Sequence, residues 1–343
     1  MRGLQTLLPK LDVVKGDAYN SSPTDPELMG PDALDAYRAS GNAPLDAAEV
    51  PTPLVELPLG ATEDRICGTI DIEKALSEGV KAFEPGLLAK AHRGILYVDE
   101  VNLLEDNIVD VVLDSAAGGW NTVEREGISV SHPAKFILVG SGNPEEGEMR
   151  PQLLDRFGMS TQIGTIVDAD ARVQLVKERR AFEADPEKYL ESVMEEEADL
   201  RKRIDAARAR LPSVEVPRPL KVKIAALCSE LRVDGLRGDL VVNRVARAYV
   251  AFSQPDKTEV EAEDVAAIVG NCLNHRMRKD PLDPVDGGVK VAVAFRKVFL
   301  AEDWEAEQAA KKKAEEEAAA AREQELKENP RAGKKAGAWG GLP

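Results

Sequence analysis

Residues 94–104 read GILYVDEVNLL, an apolar run followed directly by two carboxylates. The run at 94–98 is continuous and bounded by turn-prone residues, which is typical of a strand buried on both faces of a parallel sheet. A second run of the same character, FILVG at 136–140, is followed by SGNP at 141–144. Open α/β sheets bind ligands at the carboxyl ends of their strands. The sequence therefore predicts an α/β domain with a ligand site where these two strands end.

The pair Asp99-Glu100 fits the Walker B pattern of nucleoside triphosphatases, in which Asp-Glu follows an apolar strand. In that pattern the Asp holds Mg²⁺ on the phosphates and the Glu orients and activates water. Asn143, at the tip of the second strand, is placed to hold the attacking water or the γ-phosphate as a sensor 1 residue. A simpler interpretation stays open for each part. Asp99 and Glu100 can be strand-end carboxylates that face solvent, and Asn143 can be a turn asparagine before proline.

Two arginines extend this hypothesis. Arg156 in PQLLDRFG follows a predicted short helix, from which its guanidinium can project toward a neighbouring subunit as an arginine finger. The alternative is a surface arginine paired with Asp155. Arg237 in DGLRGDL lies just ahead of a helix predicted around residues 241–252, from where it can turn back onto the phosphates as sensor 2. For Arg237 the alternative is helix-entry geometry with a side chain that takes no part.

Composition disfavours several classes of function. The 343 residues carry 45 Lys and Arg against 61 Asp and Glu, a net charge of −16 that disfavours bulk binding to nucleic acid or an anionic membrane. No run of about twenty apolar residues is present to span a bilayer. The three cysteines are far apart without a CxxC pair, and the three histidines lack metal-ligand spacing.

Composition also divides the chain into four predicted regions. An α/β domain covers 1–167, a long charged helical connector 168–211, a small all-helical domain 212–300, and an Ala/Glu/Lys tail, helical or disordered, 301–343. In the third region Ile224, Leu227, Cys228 and Leu231 follow helical spacing. Cys228 either fills this apolar stripe or, nine residues before Arg237, acts as an oxidation-sensitive group that moves the arginine.

Five segments, in order along the chain, resemble the I subunit of magnesium chelatase, a family of AAA+ ATPases. They are TDPELMG at 24–30, GATEDRICGTIDIEKAL at 60–76, FEPGLLAKAHRGILYVDEVNLL at 83–104, GSGNPEEGEMRPQLLDRFG at 140–158 and VDGLRGDL at 233–240. The resemblance implies an α/β fold, an AAA+ P-loop-type parallel-sheet domain whose first strand and P-loop are missing here, with a C-terminal all-helical lid domain.

The family drives Mg²⁺ insertion into protoporphyrin IX in chlorophyll synthesis, so the resemblance implies an ATPase motor subunit that uses ATP and Mg²⁺. It implies a homo-oligomeric, typically hexameric ring, with a D subunit and a large porphyrin-binding subunit as partners, in the chloroplast stroma. Carried over onto matching positions, Asp99 holds the metal and Glu100 is its Walker B partner. By the same resemblance Asn143 is sensor 1, Arg156 the finger and Arg237 sensor 2, all contributing to nucleotide binding.

The printed sequence departs from the family at its start, because the loop GxxxxGK[ST] occurs nowhere in it. That loop supplies backbone N–H donors and a lysine for the phosphates and a hydroxyl for Mg²⁺. Loss of the preceding strand predicts unpaired backbone groups and an apolar gap in the sheet. We expect that this sequence is truncated at its amino terminus. Two alternatives stay open: a non-hydrolysing interaction subunit of the same ring, and another AAA+ ATPase that serves an unrelated metalloenzyme.

Overall fold

The structure, a computed structural model, describes residues 2–70, 83–125, 128–143, 145–147, 149–277 and 287–301. The chain divides into two compact units. The first comprises Met1–Glu215 and Arg247–Thr258, and the second comprises Val216–Ala246 and Glu259–Pro343. The two short β-prone arms of TVEREGISV at 122–130 also predict a hairpin. Three predicted features lie outside the described residues: the tail from 302 onward, positions 71–76 of one family-like segment, and the tip of this hairpin at 126–127.

The described strands pair into one parallel sheet, β3-β6-β9, and three antiparallel pairs, β1-β2, β4-β5 and β7-β8. In chain order the strands are β1 (Leu11–Val14), β2 (Ala47–Val50), β3 (Leu54–Leu57), β4 (Gly68–Ile70), β5 (Phe83–Pro85), β6 (Ile95–Val98), β7 (Trp120–Arg125), β8 (Ile128–Pro133) and β9 (Ile137–Gly140). The described helices are α1 (Arg2–Leu7), α2 (Pro31–Ala39), α3 (Glu63–Cys67), α4 (Leu87–Lys90), α5 (Asp106–Gly118), α6 (Pro151–Arg156), α7 (Ala169–Ala184), α8 (Pro186–Arg210), α9 (Arg218–Glu230), α10 (Arg237–Ser253), α11 (Ala262–Leu273) and α12 (Gly287–Phe299).

Strand β6 is the centre of the parallel sheet. Its Ile95, Leu96 and Val98 side chains are buried, as expected for a strand that has neighbours on both sides and cover on both faces. Burial of each such side chain contributes about 1.5–3 kcal/mol. The register sets Val98 beside Leu57 of β3 and Gly140 of β9, so the three strands end at one edge. Both strands predicted from the apolar runs are present, each beginning one residue later than its run.

Helix α5 packs on this sheet through one apolar face. The helix ends at Gly118 and is capped by Gly119, whose left-handed backbone (φ 73°) lets its N–H donate to the Ser115 carbonyl. Its buried apolar residues recur at helical spacing. They are Ile108, Val109, Val112 and Leu113. These residues share one core with Leu96 and Val98 of β6, which fixes the sheet edge that follows.

Strand β9 has a partner on one side only, within the described part of the chain. Ile137 on this strand is 65% exposed, an unusual value for a residue of a parallel sheet. The segment after α6 carries further exposed apolar side chains: Met159, Ile163, Ile166 and Val167. An apolar edge with unpaired backbone groups is unfavourable in water. An open edge of this kind is what the absence of a neighbouring strand predicts.

Two histidines are buried in the first unit. His92 Nδ1 accepts a hydrogen bond from the Lys135 N–H at 3.0 Å, and its Nε2 lies 3.2 Å from the Leu28 carbonyl oxygen. Burial lowers the pKa of His92 to about 4. His132 is also fully buried, its Nε2 lies 3.1 Å from Asn121 Nδ2, and burial lowers its pKa. No cluster of three potential metal ligands occurs among the described residues. Both histidines therefore serve as neutral hydrogen-bonding groups of the core.

The neutral state of His92 predicts a loss of stability in mild acid. Folded His92 stays neutral down to about pH 4, whereas an unfolded histidine binds a proton below about pH 6.5. The contribution of His92 to the free energy of unfolding is therefore complete above about pH 6.5. It falls by about 1.4 kcal/mol per pH unit from there to about pH 4. We expect the free energy of unfolding to drop about 2 kcal/mol more in wild type than in His92→Gln between about pH 7 and about pH 5. Urea unfolding of both proteins measures this, and equal drops would contradict it.

The charged segment predicted as a connector forms two consecutive helices, α7 and α8. Asp168 caps α7 by accepting from the Ala171 N–H at 3.2 Å, and Asp185 caps α8 by accepting from the Lys188 N–H at 3.1 Å. Helix α7 has no buried residue, in agreement with the solvated helices that its composition predicts.

The helices of the second unit are joined by turns and loops within its described residues. Ile224, Leu227 and Cys228 of α9 are buried on one face, as the helical spacing predicts. Burial raises the pKa of the Cys228 thiol to about 12, which favours the unreactive thiol over the thiolate. Cys228 therefore acts as a core side chain in this structure. The predicted helix after Arg237 begins earlier than expected, at Arg237 itself.

Candidate active site

The candidate site lies where β6 and β9 end side by side. Val98 and Gly140 are paired in register, so Asp99 and Ser141 follow at the same edge. A Cβ atom on Gly140 would lie 3.1 Å from Val101 Cγ1, which leaves little room for any larger residue. The structure thus brings together the two segments that the sequence predicts to meet.

Asp99 is exposed to solvent and hydrogen-bonded on one side. Its Oδ1 accepts a hydrogen bond from the Ser141 hydroxyl and lies 3.0 Å from the Tyr97 hydroxyl. These hydrogen bonds, with that from Ser141 the stronger influence, hold the pKa of the Asp99 carboxyl below its usual value. An exposed carboxylate that is ionised at neutral pH is a suitable oxygen ligand for a hard divalent cation.

Glu100 has an unusual backbone conformation. Its φ of 52° and ψ of 51° lie in the left-handed region, which is uncommon for a residue other than glycine and is often found at functional sites. The turn is held from β9, because the Glu100 N–H donates to Ser141 Oγ at 3.3 Å and the Val101 N–H donates to the Ser141 carbonyl at 2.8 Å. The side chain of Glu100 is consequently displayed by a fixed turn.

Ser141 is a site residue that the sequence reasoning missed. It was visible only as part of the segment after the second strand, and a serine in such a turn carries no signal of its own. Its hydroxyl and backbone together contact Val98, Asp99, Glu100 and Val101. The strand register places it there, and the register cannot be read from either strand alone.

Asn143 is exposed and lies on the loop that Ser141 begins. Its side-chain Oδ1 accepts from the Glu145 N–H at 3.1 Å, and its backbone carbonyl accepts from Asn102 Nδ2 at 3.4 Å. Because Oδ1 already accepts a backbone hydrogen bond, the Nδ2 group is the other hydrogen-bonding end of this side chain. The carboxamide can therefore present a hydrogen-bond donor to a ligand at this edge.

Arg156 is the last residue of helix α6, whereas the sequence predicts it just after a short helix. Its Nη1 lies 3.2 Å from Asp114 Oδ1 of helix α5, in a pair that is open to solvent. A second arginine, Arg150, pairs with Asp106 near the start of α5. An exposed ion pair contributes at most about 1 kcal/mol, so the Arg156 guanidinium is available for a stronger partner.

Arg237 lies in the second unit, at the first residue of α10. Gly235, two residues earlier, has a φ of 71°, a left-handed conformation that glycine adopts without strain. The described structure therefore places Asp99, Glu100 and Asn143 at one edge of the sheet in the first unit, with Arg156 at the end of α6. Arg237 belongs to the other unit.

Family models match two parts of the chain. The model described as magnesium chelatase, subunit ChlI, matches residues 70–161, which include both strand ends of the site. The model described as an AAA lid domain matches residues 221–291 in the helical unit.

Relatives match most of the chain. The magnesium-chelatase subunit ChlI-1, chloroplastic, of Arabidopsis thaliana is 60% identical over 299 residues, which cover 87% of this chain and 70% of that protein. The chain belongs to the magnesium chelatase ChlI family. The ChlI subunit of Euglena gracilis is 57% identical to this ChlI-family chain, with 87% of this chain and 85% of the Euglena protein covered. The predicted family and the function of a magnesium chelatase I subunit are confirmed.

Two solved structures are similar to this chain. A putative ATPase from Cytophaga hutchinsonii is 17% identical, with a TM-score of 0.50 over 71% of this chain and 76% of that one, and it supports the fold alone. A complex of the BchI and BchD subunits of magnesium chelatase contains a chain 42% identical to this one, with a TM-score of 0.41 over 84% and 86% of the two chains. The predicted α/β sheet domain with a helical lid is confirmed for this ChlI-family chain.

Two further predictions concern location. The ChlI proteins of Arabidopsis and of Oryza sativa are named as chloroplastic, and the predicted chloroplast location of this family member is confirmed. None of the helices within the described ranges is both long and apolar enough to cross a bilayer.

Proposed function

We propose that this ChlI-family chain hydrolyses ATP with the residues gathered where β6 and β9 end. The observation that carries the proposal is the hydrogen-bonded meeting of the Asp99-Glu100 turn with the loop of Ser141 and Asn143. Two carboxylates and an amide donor at the ends of adjacent parallel strands form a suitable arrangement for phosphoryl transfer to water.

The residues present fit Mg²⁺ and a terminal phosphate. Asp99 would hold the cation, since its carboxylate is exposed and its pKa is held low by hydroxyl donors. Asn143 would donate to the phosphate or to the attacking water, because its Oδ1 is already engaged. Bound Mg²⁺ would neutralise charge on the phosphate oxygens. The printed sequence contains no GxxxxGK[ST] loop, the element that cradles the phosphates in P-loop proteins.

The other residues take complementary roles. Glu100 orients and deprotonates water from its fixed turn. Arg156 leaves its exposed pair with Asp114 to stabilise transition-state charge in the site of a neighbouring subunit, as an arginine finger. Arg237 contributes from the helical unit as sensor 2.

We place this chain in a homo-oligomeric ring in the chloroplast stroma, with a D subunit and a large porphyrin-binding subunit as partners. In this assembly ATP hydrolysis supplies the conformational work for Mg²⁺ insertion into protoporphyrin IX, and Mg²⁺ is also the metal inserted. Within this chain we assign a nucleotide domain to residues 1–167, a connector to 168–211, a lid to 212–300 and a tail to 301–343.

The first experiment determines the mass and amino-terminal sequence of the native protein and then its binding of MgATP by calorimetry. We expect a native protein that contains GxxxxGK[ST] and binds MgATP at a physiological, roughly micromolar to millimolar, concentration. A native chain that begins at Met1 and binds no nucleotide would overturn the proposal. Such a chain would instead be a non-hydrolysing member of the ring.

A further inference from the structure

Ser141 connects β9 to both sides of the Asp99-Glu100 turn through its backbone. Its N–H donates to the Val98 carbonyl at 2.9 Å, and its carbonyl accepts from the Val101 N–H at 2.8 Å. These two bonds extend the pairing of β6 and β9 past the ends of the strands. The Asp99-Glu100 turn lies between Val98 and Val101. It is therefore closed by Ser141, a residue about forty positions later in the chain.

The Ser141 side chain lies inside the turn that its backbone closes. Its hydroxyl donates to Asp99 Oδ1 and accepts from the Glu100 N–H at 3.3 Å. One hydroxyl thus contacts the proposed metal ligand and the backbone of the proposed base. Because Glu100 is in the left-handed region, its backbone conformation needs support from its surroundings. The hydroxyl of Ser141 supplies one of the bonds that give this support.

The loop after Ser141 is anchored to the same turn by Asn102. Asn102 Nδ2 donates to the Asn143 carbonyl at 3.4 Å. A Cβ atom on Gly142 would lie 3.0 Å from Asn102 Oδ1, so the loop approaches this side chain closely. The position of Asn143 is consequently tied to the turn that displays Glu100.

We propose that Ser141 is a positioning residue for ATP hydrolysis. Its hydroxyl orients the Asp99 carboxylate and holds the Glu100 turn, and it acts through these two residues without touching the substrate. The inference rests on the proposed function, in which Asp99 and Glu100 carry out the chemistry.

Steady-state kinetics of the protein at its native length test the proposal. For Ser141→Ala we expect kcat for ATP hydrolysis to fall about tenfold, equivalent to about 1.4 kcal/mol, while KM for MgATP changes less than about threefold. The loss is expected mainly in kcat because Glu100 acts on water only in the chemical step, whereas Asp99 keeps its hydrogen bond from the Tyr97 hydroxyl and can still hold the cation. Ser141→Thr keeps a hydroxyl on Cβ, so this variant should retain most of the wild-type kcat.

A matched control removes a serine hydroxyl elsewhere in the same unit. Ser131 of the β7-β8 hairpin is bonded through its hydroxyl to Thr122 at 3.1 Å, and Ser131→Ala should leave both kcat and KM unchanged. A Ser141→Ala protein with a wild-type kcat would overturn the proposal, and so would a Ser141→Thr protein that is as slow as Ser141→Ala. A wild-type protein that hydrolyses no ATP would instead overturn the proposed function, and the role of Ser141 with it.

Amide hydrogen exchange on the printed chain gives a second readout that needs no ATP hydrolysis. In Ser141→Ala the Glu100 N–H loses its acceptor, whereas the Val101 N–H keeps the Ser141 carbonyl. We expect the Glu100 amide to exchange at least about tenfold faster and the Val101 amide to change less. Unchanged exchange at Glu100 would overturn the proposed role of the hydroxyl.

Discussion

A Glu100→Gln variant at native length is expected to lose ATP hydrolysis by about 10²–10⁴-fold, the usual contribution of a general base. Glutamine has the length of glutamate but cannot take a proton from water. Its backbone N–H can still donate to Ser141 Oγ, so the turn and the affinity for MgATP should be retained. Phosphate release and calorimetric binding measure the two quantities separately.

The control for this variant is Glu105→Gln. Glu105 is exposed, precedes helix α5 and makes no side-chain capping bond, so its replacement removes the same charge a few residues away. We expect it to hydrolyse ATP at close to the wild-type rate. Wild-type hydrolysis by Glu100→Gln would remove Glu100 from the mechanism and leave the strand-end carboxylates as solvent-exposed groups.

Arg156→Ala is expected to lower ATP hydrolysis by about 10³-fold or more, since an arginine finger contributes about that factor. The finger is proposed to act in the site of a neighbouring subunit, so the loss should be complementable. Mixing Arg156→Ala with Glu100→Gln protein creates interfaces at which an intact Glu100 meets an intact Arg156. At equal amounts, random mixing gives about a quarter of interfaces of this type, and activity should recover to about that fraction.

Asp114→Asn is the matched control for Arg156→Ala. It removes the partner of Arg156 and keeps the guanidinium, so it separates loss of the ion pair from loss of the finger. Because the pair is exposed, we expect Asp114→Asn to retain hydrolysis and to change stability by less than about 1 kcal/mol. Failure of the mixed proteins to recover any activity would contradict a finger that acts between subunits.

Local patterns predict much of this fold. The apolar runs before Asp99 and Ser141 become the paired strands β6 and β9, and the β-prone arms of the predicted hairpin become the antiparallel strands β7 and β8. Strands buried on both faces and hairpins are encoded within a few residues, by continuous apolar side chains and turn residues. The residues proposed to act at the site could be predicted for the same reason. Asp99, Glu100 and Asn143 each follow an apolar run within a few residues.

Other features depend on residues that are distant in sequence. The ion pair of Arg156 with Asp114 joins residues 42 positions apart, and the bond of Asn102 to the Asn143 carbonyl joins residues 41 positions apart. The start of helix α10 was also predicted incorrectly. The helix begins at Arg237, whereas the sequence predicts a helix around residues 241–252. Spacing within one segment carries no information on which partner a polar side chain meets across a sheet or between helices.

The sequence by itself determined the family, the parallel strands and the carboxylates that follow one of them. Only the tertiary structure decided that Ser141 lies against both Asp99 and Glu100 and that Glu100 adopts a left-handed backbone. The physical reason is register. Pairing Val98 with Gly140 sets every contact beyond the strand ends, and a shift by one residue would turn each side chain to the opposite face.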